Sequence, residues 1–310
     1  MGGQEGKRRG PARGDRNAHR GLAHLMCGLV VALTVMVLAP GTSEAKKPAL
    51  PASTLTETPA KQALLANLTV MAGKVWLIKS NDLQTIGDIG SYAWTGCGIT
   101  TGSSLTSSTY PACQSGQVPI YTSHWTFQSD ITSGALVSGD TVIDDAEEGW
   151  SITPKLEQHN LAYFDQLDAQ LAAQNGITII ETPYGKTPSA LVFLAKNAAK
   201  YAPIVDIQAQ PFDRSPQTYV DLVDNTANAM RAINPDVVVL AGLATDASGV
   251  PTGLGQMESE YKGVKAYVDG FFLNATKWGR PRGKGCAPQG CPVTAAAFLN
   301  AIGATTSGGS

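Results

Sequence analysis

The segment 141–147, TVIDDAE, ends an apolar run in three acids. Asp145 and Glu147 are two residues apart, so in an extended chain they project to the same side. Carboxylates so placed couple, one charge raising the proton affinity of its neighbour and keeping it ready as an acid. Glu181 closes the next apolar run, 177–181 (ITIIE). Adjacent strands lie about 4.8 Å apart. Glu147 and Glu181 could therefore approach the carboxyl separation of about 5–5.5 Å found in retaining glycosidases. The spacing predicts Glu147 as proton donor, Asp145 as the group that tunes it, and Glu181 as base or nucleophile. Asp246, three strands further on, would suit a wider gap that admits water, so retaining and inverting geometries both stay open.

Other strand ends carry ligand-gripping types: Trp150, Tyr184, Gln208, Gln210 and Asn274, with Asp213, Thr245, Lys277 and Trp278 nearby. Amides hold hydroxyls, and indoles stack on the apolar side of a sugar ring. Polar loops are common to any barrel, so each residue taken alone is more often solvated than functional. Asp144, Asp145 and Glu148 also spell D-D-x-x-E, a pattern by which prenyl-diphosphate enzymes hold Mg²⁺. Those motifs lie on helices and this one ends a strand, so a solvated acidic loop outranks it. His124 beside Trp125 reads as a loop residue and His159 as a helix-surface or capping residue. No G-x-S-x-G nucleophile elbow occurs. No metal centre and no cofactor is expected. Asn67-Leu68-Thr69 and Asn274-Ala275-Thr276 match the glycosylation sequon, a frequent chance pattern.

The elements that must position these residues alternate. Strands are expected at 75–79, 118–123, 141–147, 177–181, 204–210, 236–244 and 269–275. Helices are expected from Thr153-Pro154 to Gly176, through Leu191, Leu194 and Ala198, from Ser215-Pro216 to Pro235, around 256–267 and at 293–302. Residues 82–117 read as loop. Apolar strands between amphipathic helices mean a parallel sheet covered by helices. An open doubly wound sheet is the competing architecture. No G-x-G-x-x-G follows the first strand, and polar groups recur at strand C-termini, so a (β/α)₈-type barrel is expected, with one irregular or missing unit near the N-terminus.

The chain has 310 residues. Lys7, Arg8, Arg9, Arg13, Arg16 and Arg20 precede an apolar run at 25–39 and the small-residue site Ser43-Glu44-Ala45. The run is shorter than the roughly 20 residues that span a bilayer. Residues 1–45 therefore read as a cleaved export signal, and the mature chain as secreted with no membrane span. Residues 46–72 read as linker and extension, 73–303 as one barrel domain, and 304–310 as a flexible tail. Cleavage leaves 17 basic and 22 acidic residues, a balance near −5 with no basic block, which argues against nucleic acid. Cys97, Cys113, Cys286 and Cys291 remain, an even number that suits disulfides in an exported chain. The sequence-local pairs are the simplest of three connectivities. A metal site ranks below them, since no C-x-x-C occurs.

The runs DDAEEGWSITPKLEQ (144–158), VDIQAQ (205–210), VVVLAGLATD (237–246) and VDGFFLNA (268–275) carry a resemblance. They are similar to a group of exported actinobacterial, glycoside-hydrolase-like (TIM-barrel) proteins of unassigned activity. The distinctive part is W-x-x-T-P-x-x-E-Q. The resemblance implies a barrel and an extracytoplasmic role, and no substrate. The D-x-E at 145–147 also resembles the acid motif of chitinase-type barrels, although their longer D-x-x-D-x-D-x-E run is absent. The expected function is a carbohydrate-acting barrel using strand-end carboxylates. The alternative is a non-catalytic barrel that binds polysaccharide or cell envelope.

Overall fold

A computed structural model describes residues 58–66, 68, 70–79, 94–99, 118–213, 215–247, 250–275 and 291–304. All fall in one unit spanning 51–310. The export signal, the linker up to residue 57, the stretch 276–290 with Lys277 and Trp278, and residues 305–310 lie outside the described residues. So do Cys113, Cys286 and the side chains of Cys97, Cys291 and Asp246.

Eight parallel strands form one ring. They are β1 (Lys74–Lys79), β2 (Trp94–Ile99), β3 (Val118–Tyr121) and β4 (Thr141–Asp144), then β5 (Thr178–Glu181), β6 (Ile204–Ile207), β7 (Val238–Ala244) and β8 (Gly270–Asn274). Each pairs with its successor, and β8 returns to β1 through Gly270↔Val75 to Asn274↔Lys79. The chain is a closed (β/α)₈-type barrel. The expectation of a loop over 82–117 is corrected at β2: WTGCGI carries two glycines and no apolar run, so it gives no strand signal in isolation, yet it pairs on both sides.

Alternation along the strands divides the core in two. Val75, Leu77, Ile120, Ile143, Ile180, Leu240 and Phe272 fill the interior. Their neighbours Trp76, Val142, Ile179, Val205, Val239 and Phe271 face the helices. Gly270 is required where β8 meets β1, because a Cβ there would lie 2.4 Å from the Val75 carbonyl. Helix α1 (Pro59–Ala66), inside the segment read as linker and extension, sets Leu64 and Leu65 against the interior cluster, joined by Leu68. It is tied there by Lys61, whose Nζ lies 2.7 Å from Asp269 Oδ2. That carboxylate also accepts from Arg231 Nη2 at 3.1 Å and the Val239 N–H at 2.8 Å.

The outer helices are α2 (His124–Thr132), α3 (Lys155–Gln158), α4 (Leu161–Gln174), α5 (Pro188–Ala198), α6 (Pro216–Arg231), α7 (Leu254–Val264) and α8 (Cys291–Ala301). Thr187 and Ser215 start α5 and α6 by accepting the Ala190 and Thr218 N–H groups, each followed by proline at the first helical position. The helix expected from Pro154 to Gly176 is two helices. Asn160 leaves helical geometry at φ −140° and gives its amide to the Leu156 carbonyl at 2.8 Å.

Candidate functional site

The C-terminal end of the barrel carries an inner tier of polar side chains. Ile143, Ile180 and Ile204 face inward, so two residues later Asp145, Thr182 and Asp206 do too. The Thr182 hydroxyl lies 2.8 Å from Asp145 Oδ1, and Gln208 Nε2 donates to the same oxygen at 3.0 Å and to the Thr182 carbonyl at 2.6 Å. Asp206 is fully buried, and no donor among the described residues reaches either of its oxygens. Burial pushes its carboxyl well above the usual carboxylate range, and the Asp145 charge adds to that. Gln210 sits over β7 in a place kept open by Gly242, where a Cβ would lie 2.3 Å from Gln210 Oε1.

Above this tier, Ala146 packs outward on Leu161 and Leu194, which turns half-buried Glu147 back toward the mouth. The backbone of Glu147 pairs in parallel with that of Tyr184, whose hydroxyl pKa is raised by burial and then by the Glu147 charge. The motif W-x-x-T-P-x-x-E-Q holds the loop that follows. Thr153 Oγ1 accepts the Glu147 N–H at 3.1 Å, and Gln158 donates to the Trp150 and Thr153 carbonyls at 2.6 Å each. Gln158 also accepts the N–H of Gly149, a turn residue at φ +85°. Asn274 ends β8 level with Ala244 of β7. The backbone of Asp246 continues past β7 in a two-residue strand against Val250–Pro251.

Asp144 and Glu181 face the other way. They are paired across β4 and β5 and point into the helix layer, where α4 supplies Asp165 and Asp168. All four are buried, with exposures of 5, 1, 4 and 3 % respectively. Oxygens of Asp144, Asp165 and Glu181 lie within 4.8 Å of one another. Burial pushes all four carboxyls well above the usual range, and the acids raise one another further. Asp144 is close enough to Asp168 and Glu181 to share a proton with either. At the edge, His124 Nδ1 lies 2.6 Å from Asp168 Oδ1. Burial lowers the imidazole pKa against the pull of Glu157. Buried Glu157 accepts the Ser123 hydroxyl at 3.0 Å and the His124 N–H at 3.1 Å.

The structure thus brings Asp145 together with Gln208, and Glu147 with Tyr184, and holds Trp150 in the same loop. It does not bring Glu147 to Glu181. Their strand ends are adjacent, but the pleat sends the Glu181 carboxyl to the helix side. Sequence reading missed Asp206, Asp165, Asp168 and the burial of His124. The signal for α4 was present: its buried face is Leu161, Phe164, Asp165, Asp168, Ala169 and Ala172, a helical spacing in which two places are aspartate.

No family model matches the chain, and no curated protein matches it in sequence. Among solved structures, it is similar to the catalytic domain of a family GH18 chitinase from the fern Peteris ryukyuensis (TM-score 0.40, 16% identity, covering 63% of this chain and 76% of that one). A second is an active-site mutant of Rhizomucor miehei β-1,3-glucanosyltransferase with laminaritriose (TM-score 0.33, 14% identity, 52% and 66%). A third is a β-mannanase from the blue mussel Mytilus edulis (TM-score 0.29, 16% identity, 50% and 63%). The barrel itself rests on the strand pairings given above.

Proposed function

We propose that this barrel is an exported, glycosidase-type protein that acts on carbohydrate at its C-terminal mouth. The observation that supports it is the Asp145-x-Glu147 pair on the inner face of one strand end, with Gln208 gripping Asp145 and Tyr184 beside Glu147. In this reading Glu147, at the rim, gives its proton to the glycosidic oxygen as the C–O bond breaks. Asp145, which accepts from Gln208 and lies beside the Thr182 hydroxyl, faces the positive charge that develops at the anomeric carbon and takes the proton of the incoming water. Gln210 and Asn274 orient hydroxyls, and Trp150 stacks on the ring. Removal of residues 1–45 belongs to the same reading and places the mouth where extracellular polysaccharide is found.

The test is reducing-end release by the chain lacking residues 1–45 on a broad polysaccharide panel, with carbohydrate retention measured in parallel. Turnover that Glu147→Gln abolishes while retention persists supports the reading. Retention without turnover replaces it with a non-catalytic binding barrel, and neither turnover nor retention removes it.

A further inference from the structure

The acids on the helix side of β4 and β5 take no part in the mouth chemistry. We propose that Asp144, Asp165 and Glu181 bind one hard divalent cation, of the Ca²⁺, Mg²⁺ or Mn²⁺ class, between β4, β5 and α4. Their oxygens converge within 4.8 Å. Two oxygens on one Ca²⁺ at about 2.3–2.6 Å can be up to about 5 Å apart, so the separations fall within the span of one ion, which a small inward shift of the side chains would close on.

A separate observation selects these three from the wider group of acids. Asp168 is engaged by His124, and Glu157 by Ser123 and the His124 N–H. Asp144 Oδ2, Asp165 Oδ2 and Glu181 Oε1 are buried, and no N–H or hydroxyl donor among the described residues reaches them. Nor does any lysine or arginine among the described residues form an ion pair with them. Buried carboxylate oxygens without donors are costly unless a cation or a proton meets them. The donor set is all oxygen, which suits hard cations over zinc or copper. Two ligands come from neighbouring strand ends and one from a helix, so the ion would pin α4 to the wall that carries Asp145 and Glu147. His124 on α2 holds Asp168 at the edge of this group.

The test uses the full chain stripped with chelator and then exposed to Ca²⁺, Mg²⁺ or Mn²⁺ alone, without carbohydrate. One ion retained per chain after gel filtration is expected, with a rise in Tm. Asp165→Asn and Glu181→Gln should each weaken retention about tenfold or more, whereas Glu258→Gln in the exposed pair with Lys262 should not. A crystal of the unaltered chain soaked in Mn²⁺ decides the matter whether or not the variants fold. An anomalous peak between Asp144, Asp165 and Glu181 supports the site. No peak there, or retention unchanged in both variants, overturns it and leaves protons as the occupants.

Discussion

Asp144 and Asp145 are consecutive, and the pleat of β4 sends them to opposite sides of the barrel wall. On the inner side, Asp145 is met by a hydroxyl and an amide, with Gln208 and Gln210 buried in the same tier. On the outer side, Asp144 lies among three further buried carboxyls under a helix, with a histidine at their edge. Residues of the same type and nearly the same position are surrounded by donors on one face and by acceptors on the other. Donors hold a carboxylate ready for chemistry, whereas converging acceptors call for protons or a cation. The inner site should therefore govern rate and the outer site stability.

The largest expected effect is at the mouth. Glu147→Gln should lower turnover on any sugar the protein hydrolyses by about 10²–10⁴-fold, the usual worth of a general acid, with its urea midpoint unmoved. A shifted midpoint at unchanged turnover would break the division between the faces. His124→Ala should do the reverse. Removing the partner of Asp168 should cost about 1–3 kcal/mol in urea unfolding and leave turnover unaltered. Gly242→Ala sharpens the inner side, because its new Cβ meets Gln210 Oε1 at 2.3 Å and the amide must move. Losing one hydrogen bond to ligand should weaken carbohydrate retention about tenfold at unchanged stability.

A further effect, read by pH alone, lies away from both faces, on α7. Burial, and then Asp213, push Glu260 up to about 8. Its pKa in the folded chain exceeds that in the unfolded chain, so its contribution is complete below about pH 4.5 and is lost as pH rises through 8. Unfolding free energy should fall between pH 5 and 8, and Glu260→Gln should flatten that slope. An unchanged slope would place the proton elsewhere.

The barrel was legible in the sequence because buried parallel strands are apolar throughout, as 238–240 and 270–273 are. β2 was not, because WTGCGI is held by its two neighbours and offers no pattern of its own. The inward pair Asp145 and Glu147 followed from alternation alone. Applied one residue further, the same rule would have turned Asp144 and Glu181 outward. What alternation could not supply was the third partner: Asp165 and Asp168 lie on a helix that reads as ordinary until its buried face is known. Asp206 was hidden inside the run IVDIQAQ, where a lone acid among apolar neighbours looked like part of the strand.

The tie between Lys61 and Asp269 spans 208 positions of sequence. Synthesis delivers the lysine near the start and its carboxylate near the end, so the ion pair that ties α1 down cannot form until β8 is made. The ring cannot close earlier either, since β1 waits for the same strand. Contacts this distant slow folding. A chain stopped before Asp269 would leave the interior apolar residues without their stopper, and a chain begun after Lys61 would leave Asp269 without its lysine. Lys61 and Asp269 thus act as one fastening between an early helix and the last strand.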